Sequence, residues 1–90
     1  MDKQQLRDRL EELHKELQQI NSVDDDERKI LKKMIGDIDK LIETEDTDQH
    51  HTYDRLGEGL REGIERFEAS HPRATMLMGQ LADALAKIGI

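Results

Sequence analysis

The chain has 90 residues, of which 34% are hydrophobic and 39% charged, with a net charge of −7. That length holds one domain at most, and the acidic balance argues against nucleic acid or an anionic membrane as partner, because both attract a positive footprint. The absence of cysteine excludes disulfides and thiolate metal sites, and no run reaches the ~20 apolar residues of a membrane span.

The first segment runs from about Asp2 to Ile20. Its start, MDKQQLRDRLEEL, is charged throughout and does not read as a signal peptide, so the expected location is cytoplasmic. Leu6, Leu10, Leu13, Leu17 and Ile20 recur at alternating steps of four and three, the heptad spacing of a coiled coil. On a helix they cover an arc of roughly 80°. Such a seam suits one helical neighbour. Arg7, Glu11 and Lys15 are spaced for i,i+4 pairs.

The segment breaks at Asn21-Ser22-Val23-Asp24, where Ser22 or Asp24 can cap the next helix. Asp25, Asp26 and Glu27 then place negative charge in its first turn, where the helix dipole favours it. The second segment, about Asp25 to Glu43, carries Ile30, Leu31, Met34, Ile35, Ile38, Leu41 and Ile42 over an arc of roughly 140°. A stripe that wide reaches two neighbours, so this helix is expected to bridge the two halves of the chain. A polar linker, TEDTDQ, occupies 44–49.

The third segment, about His50 to Ala69, presents Tyr53, Leu56, Leu60, Ile64 and Phe67 on one face. It also carries Gly57, Gly59 and Gly63, each costing roughly 1 kcal/mol against Ala inside a helix. Close approach of another helix, or local flexibility, would account for them. Gly63 is expected at the edge of the buried face, opposite Ala74, Ala82 and Ala84. Ser70-His71-Pro72 ends the segment, with Ser70 reading as a cap and Pro72 suited to a first helical turn. The fourth segment, about Pro72 to Ile88, is the least charged run. Ala74, Leu77, Met78, Leu81, Ala84, Leu85 and Ile88 share one face, and Gly89 suits a left-handed C-cap. A run so apolar in so polar a chain is expected to be the helix that the others cover.

These elements predict an all-α fold: four amphipathic helices as two helical hairpins, or an elongated bundle with a coiled-coil-like N-terminal half. The single domain divides into a hairpin over 1–43, the linker 44–49 and a hairpin over 50–90. The core is expected to be aliphatic, with one Tyr, one Phe and four Met.

The Phe67-Glu68-Ala69-Ser70-His71-Pro72-Arg73 stretch, the Leu81-Ala82-Asp83-Ala84-Leu85 run and the Gly89-Ile90 ending form a distinctive set. Together with the Leu6-to-Leu17 heptads and the Ser22-Val23-Asp24 break, they resemble a family of small bacterial proteins known only as a domain of unknown function. The resemblance covers essentially the whole chain, and FEASHPR is its most specific part. It implies a bacterial protein of this kind, and no activity, ligand or catalytic residue.

Two Glu-x-x-His spacings, Glu11 to His14 and Glu68 to His71, match the ligand spacing of di-iron bundles. Glu11 and His14 flank the leucine seam, and His71 precedes Pro72, so these residues read as solvated. Glu45, Asp46, Asp48, His50 and His51 gather oxygen and imidazole groups that can hold a divalent cation weakly. They do not form an EF-hand, which needs Gly where His51 stands and Glu where Gly57 stands. His50 and His51 can also respond to pH near 6. No nucleophile has a recognisable setting and no Gly-rich loop follows a strand. The chain therefore reads as a non-enzyme without catalytic or cofactor-binding residues.

The function expected is a protein-interaction or structural module that self-associates as a homodimer. Leu6, Leu10, Leu13 and Leu17 of the seam and Met76, on the polar side of the fourth segment, are the expected contacts. The alternative is a weak metal-binding or pH-responsive module centred on Glu45 to His51. A lesser possibility for so acidic a chain is mimicry of nucleic acid toward a basic partner.

Overall fold

A computed structural model describes residues 3–43 and 50–87, with the side chains of Lys3 and His50 left out. Four helices follow one another: α1 Lys3–Gln18, α2 Asp25–Glu43, α3 His50–Phe67 and α4 Pro72–Lys87. The helix ends at the α1–α2 and α3–α4 junctions have local reasons. At the start of α2 the Asp24 carboxylate accepts from the Glu27 amide at 2.8 Å, and the Asp24 amide donates to the Glu27 carboxylate at 3.1 Å. This reciprocal box satisfies two amides that the helix itself leaves unpaired. Asp24 is thus the cap, and Ser22 is an exposed loop residue.

Before α4 the cap position belongs to His71, not Ser70. The His71 carbonyl accepts from the Thr75 amide at 3.0 Å and from the Thr75 hydroxyl at 2.9 Å. Ser70 is exposed. The Pro72 ring has no N–H to satisfy and fits the first turn. α1 ends two residues earlier than its apolar spacing predicts. The amides of Gln19 and Ile20 reach back only three residues, to Glu16 and Leu17, and tighten the last turn.

The helices close a ring: α1 packs on α2 and α4, and α3 packs on α2 and α4. Polar contacts give the directions. As α1 advances from Arg9 to Glu16, its partner on α4 retreats from Gln80 to Arg73. From Asp24, which caps α2, forward to Asp37, the partner on α3 retreats from Arg66 to Arg55. Neighbours are therefore antiparallel, and the two hairpins face each other across one core, 34 × 19 × 19 Å overall. The N-terminal half, α1 and α2, supplies two of the four walls of this bundle.

That closure changes two expectations. α1 has two neighbours despite its narrow seam. Leu10, Leu13 and Leu17 point to the bundle axis, where side chains of both neighbours meet, and the flanks of α1 reach α2 and α4 through polar side chains. α4 is not the central helix that the others cover; it is one wall among four. Its low charge comes from small residues. Ala74 and Ala84 are buried, while Gly79 and Ala82 are half-buried and Ala86 exposed. They make the helix apolar by composition without giving it a second bulky face.

The remaining core comes from Leu31, Met34, Ile38 and Leu41 of α2, Leu56, Leu60 and Phe67 of α3, and Leu77, Met78, Leu81 and Leu85 of α4. Gly63 lies in this core, not at its edge. A Cβ there would stand 2.9 Å from Cε of Met34 and 2.9 Å from Sδ of Met78. The glycine thus makes room for two methionine side chains from opposite walls, not for the alanines of α4. Gly57 and Gly59 have no such neighbour: only the Arg61 guanidinium, at 3.7 Å, approaches Gly57, and nothing lies within 4 Å of Gly59. Helix packing against α3 accounts for one of its three glycines.

Candidate interaction surface

The residues expected to serve a partner separate into two groups. Leu10, Leu13 and Leu17 are buried inside the chain, and Leu6 is half-buried against the same core. The heptads pair within the chain, and Leu10 and Leu13 leave no surface for a second copy. The reason is ring closure, which turns one stripe toward two neighbours. Met76 is exposed, at 51%. It sits one turn after Arg73 and one turn before Gln80, between the hydrogen bonds Arg73 Nε to Glu16 and Arg9 to Gln80 Oε1.

The candidate cation ligands are not brought together by what is described. Glu45, Asp46 and Asp48 lie outside the described residues. His50 opens α3 with its side chain likewise outside, and His51 is exposed. Among the described residues no group of three or more His, Asp or Glu side chains converges. Glu11 is exposed and pairs with Arg7 at 3.3 Å. His14 differs from expectation. Its side chain is only 20% exposed, and its Nε2 lies 2.6 Å from Oδ1 of Asp39 on α2. That approach lacks the alignment of a hydrogen bond, so it is a close polar contact between α1 and α2. His71 packs its ring against Phe67, with centroids 5.8 Å apart.

Two features went unread in the sequence. Asp37 on α2 is buried, and one carboxylate oxygen accepts from Arg55 of α3 at 3.1 Å while the other has no partner. The signal was present: Asp37 follows Met34 by three residues and precedes Leu41 by four, on the margin of the apolar stripe. Its partner, eighteen residues away on another helix, was not legible. Tyr53, half-buried on α3, has its phenol pushed above the usual 10.0 by desolvation.

The second feature is a hollow of about 330 Å³ where α1 hands over to α2. Leu17, Ile20 and Val23 from the end of α1 and its loop meet Leu31 and Ile35 of α2 there, with Gln18 and Asn21 at the margin. The charged lining residues are Arg28 and Lys32, and no carboxylate of the described residues lines it. In a chain with 21 acidic and 14 basic residues, that rim has the minority sign. Ile20, Val23 and Ile35 remain half-buried. A smaller hollow of about 100 Å³ between α3 and α4 is floored by Gly57 and Ala82 and bordered by Asp54 and Arg61.

Among the described residues no helix is long and apolar enough to cross a membrane. Among the described residues the arrangement is an aliphatic core with an aliphatic hollow on its α1–α2 flank. No curated protein and no solved structure matches the chain. A family model does match, over residues 6–90, nearly the full length of the bundle just described, and the chain belongs to that family, Domain of unknown function (DUF4404).

Proposed function

We propose that the chain is a small non-catalytic interaction module that self-associates. The observation that supports this reading is the hollow between α1 and α2. There Ile20, Val23 and Ile35, all half-buried, lie together beside the buried Leu17 and Leu31. Aliphatic surface in such a place favours association, because covering it releases water at roughly 25 cal/mol per Å². The small core of a 90-residue chain also gains from a second copy, since short chains bury a smaller share of their surface. Sedimentation equilibrium across the micromolar range tests the reading. A mass that climbs from 10.5 kDa toward twice that value with concentration supports it, and 10.5 kDa throughout ends it.

A further inference from the structure

We propose that the α1–α2 hollow is half of a two-fold interface in which the loop and first helical turn of one copy, with Val23, Asp25 and Asp26, seat on the hollow and the Arg28–Lys32 rim of the other. The proposal rests on the self-association reading above and names its surface. A guest for this hollow needs aliphatic bulk for the floor and carboxylates for the rim, because the charged lining residues are Arg28 and Lys32. This chain carries such a guest at the margin of the hollow, where Val23 is itself part of the lining and can face its own copy across a two-fold axis. Val23 is half-buried at the loop, and Asp25 and Asp26 follow it, both exposed.

Asp24 is not free for this role, since it caps α2 and faces Arg66 at 3.7 Å. Asp25, Asp26, Arg28 and Lys32 make no ion pair with the described residues. Host and guest thus lie on one continuous surface of one chain. That self-complementarity is what an isologous contact requires, because each patch must meet its own copy. In such a contact the carboxylates of each copy meet the cations of the other twice over.

The division of labour follows. The aliphatic floor supplies the attraction, while the charges set the register and reject misaligned encounters. The net charge of −7 on each copy opposes approach, so association is weak and falls in the micromolar range.

The test uses charge reversal on the full chain, followed by sedimentation equilibrium. Lys32→Glu sets like charges against the acidic turn of the partner, and Asp25→Lys sets like charges against its rim. Both positions are exposed, so the fold survives, and circular dichroism checks this. Each variant alone should weaken the dimer by about tenfold or more, the size of a like-charge contact in place of an attractive one. An equimolar mixture of the two should recover the wild-type affinity, because each reversed charge then faces a charge of opposite sign. Arg28→Glu should behave as Lys32→Glu and be rescued by the same partner. A purely structural role of these residues would give no rescue on mixing. If the wild type dimerises and both reversals leave its affinity unchanged, or mixing restores nothing, this surface is wrong and self-association stands. If the wild type is a monomer at every concentration, both fall, and the hollow is left to a different protein.

Discussion

Replacing Gly63 measures how tightly the middle of the bundle is filled. A Cβ at this position would lie 2.9 Å from Cε of Met34, 2.9 Å from Sδ of Met78 and 3.3 Å from Cε of Met78. Non-bonded carbon atoms rest at roughly 3.5–4.0 Å, so two side chains must each move by more than half an ångström. Methionine ends are flexible, which makes a small displacement affordable. Both, however, are enclosed, at 1% and 0% exposure, and have no solvent to retreat into. Gly63→Ala therefore sets a propensity gain of about 1 kcal/mol against that displacement and should stabilise less than the same change at Gly36. Gly36 is exposed, with nothing within 4 Å of its added Cβ, and Gly36→Ala should stabilise by up to about 1 kcal/mol. Gly63→Leu adds three further carbons to a filled space and should cost roughly 1–3 kcal/mol net of propensity. Urea denaturation of the three variants gives the values. The contact itself is tested by a cycle with Met78→Ala, because removing that side chain frees volume for the leucine. The cost of Gly63→Leu should shrink in the Met78→Ala background by about 1 kcal/mol or more, the range of coupling between touching residues. Full additivity, or a Gly63→Leu variant as stable as wild type, would refute the account of this glycine.

The buried Asp37 carboxylate gives a second expectation. Arg55→Met should cost about 1–2 kcal/mol, less than the roughly 3–5 kcal/mol of a fully buried pair because the Arg55 side chain is 46% exposed. The double variant Asp37→Leu with Arg55→Met should return to wild-type stability or better in urea melts, and a double variant weaker than Arg55→Met alone would show that the pair is a net stabiliser. Tyr53 gives a third. Burial raises its phenol above 10.0, so the folded state holds the proton more tightly than the unfolded chain. Its contribution to stability is therefore fully present below pH 10 and is lost as the pH climbs through the higher native value. As the chain has one tyrosine, ultraviolet absorbance follows it directly. The native midpoint should lie above that measured in strong urea, and coincident midpoints would place the ring in solvent.

How much of this was legible varies with sequence distance. The helices, their order and the cap at Asp24 are local properties, set by periodicity and by side chains three residues from the amides they satisfy. Breadth of the apolar stripe correctly gave α2 two neighbours, since an arc that wide cannot be covered by one helix. The same logic failed for α1. Arc width counts only apolar side chains, and α1 meets α4 partly through Arg9 to Gln80 and Glu16 to Arg73, contacts made between residues 71 and 57 positions apart. The hollow was hidden for a related reason. Ile20 and Ile35 look like core residues in the sequence and Val23 like part of a loop, and only the packed structure shows that all three are half covered and line one hollow.

The glycines of α3 carry this distinction furthest. The sequence marks Gly57, Gly59 and Gly63 alike, as losses of roughly 1 kcal/mol each that something must offset. Three-dimensional packing separates them: Gly63 is offset by the burial of Met34 and Met78, and Gly57 and Gly59 are not offset within the described residues. The uncompensated cost falls in the middle of α3, next to the shallow α3–α4 hollow that Gly57 floors. α3 is held there by tertiary packing of Leu56 and Leu60, both at 0% exposure, and not by its own propensity. Fixing α3 therefore depends on α2 and α4 closing over it. A helix that cannot stand alone is cooperative with its neighbours, and the bundle should open as one unit, not as two independent hairpins.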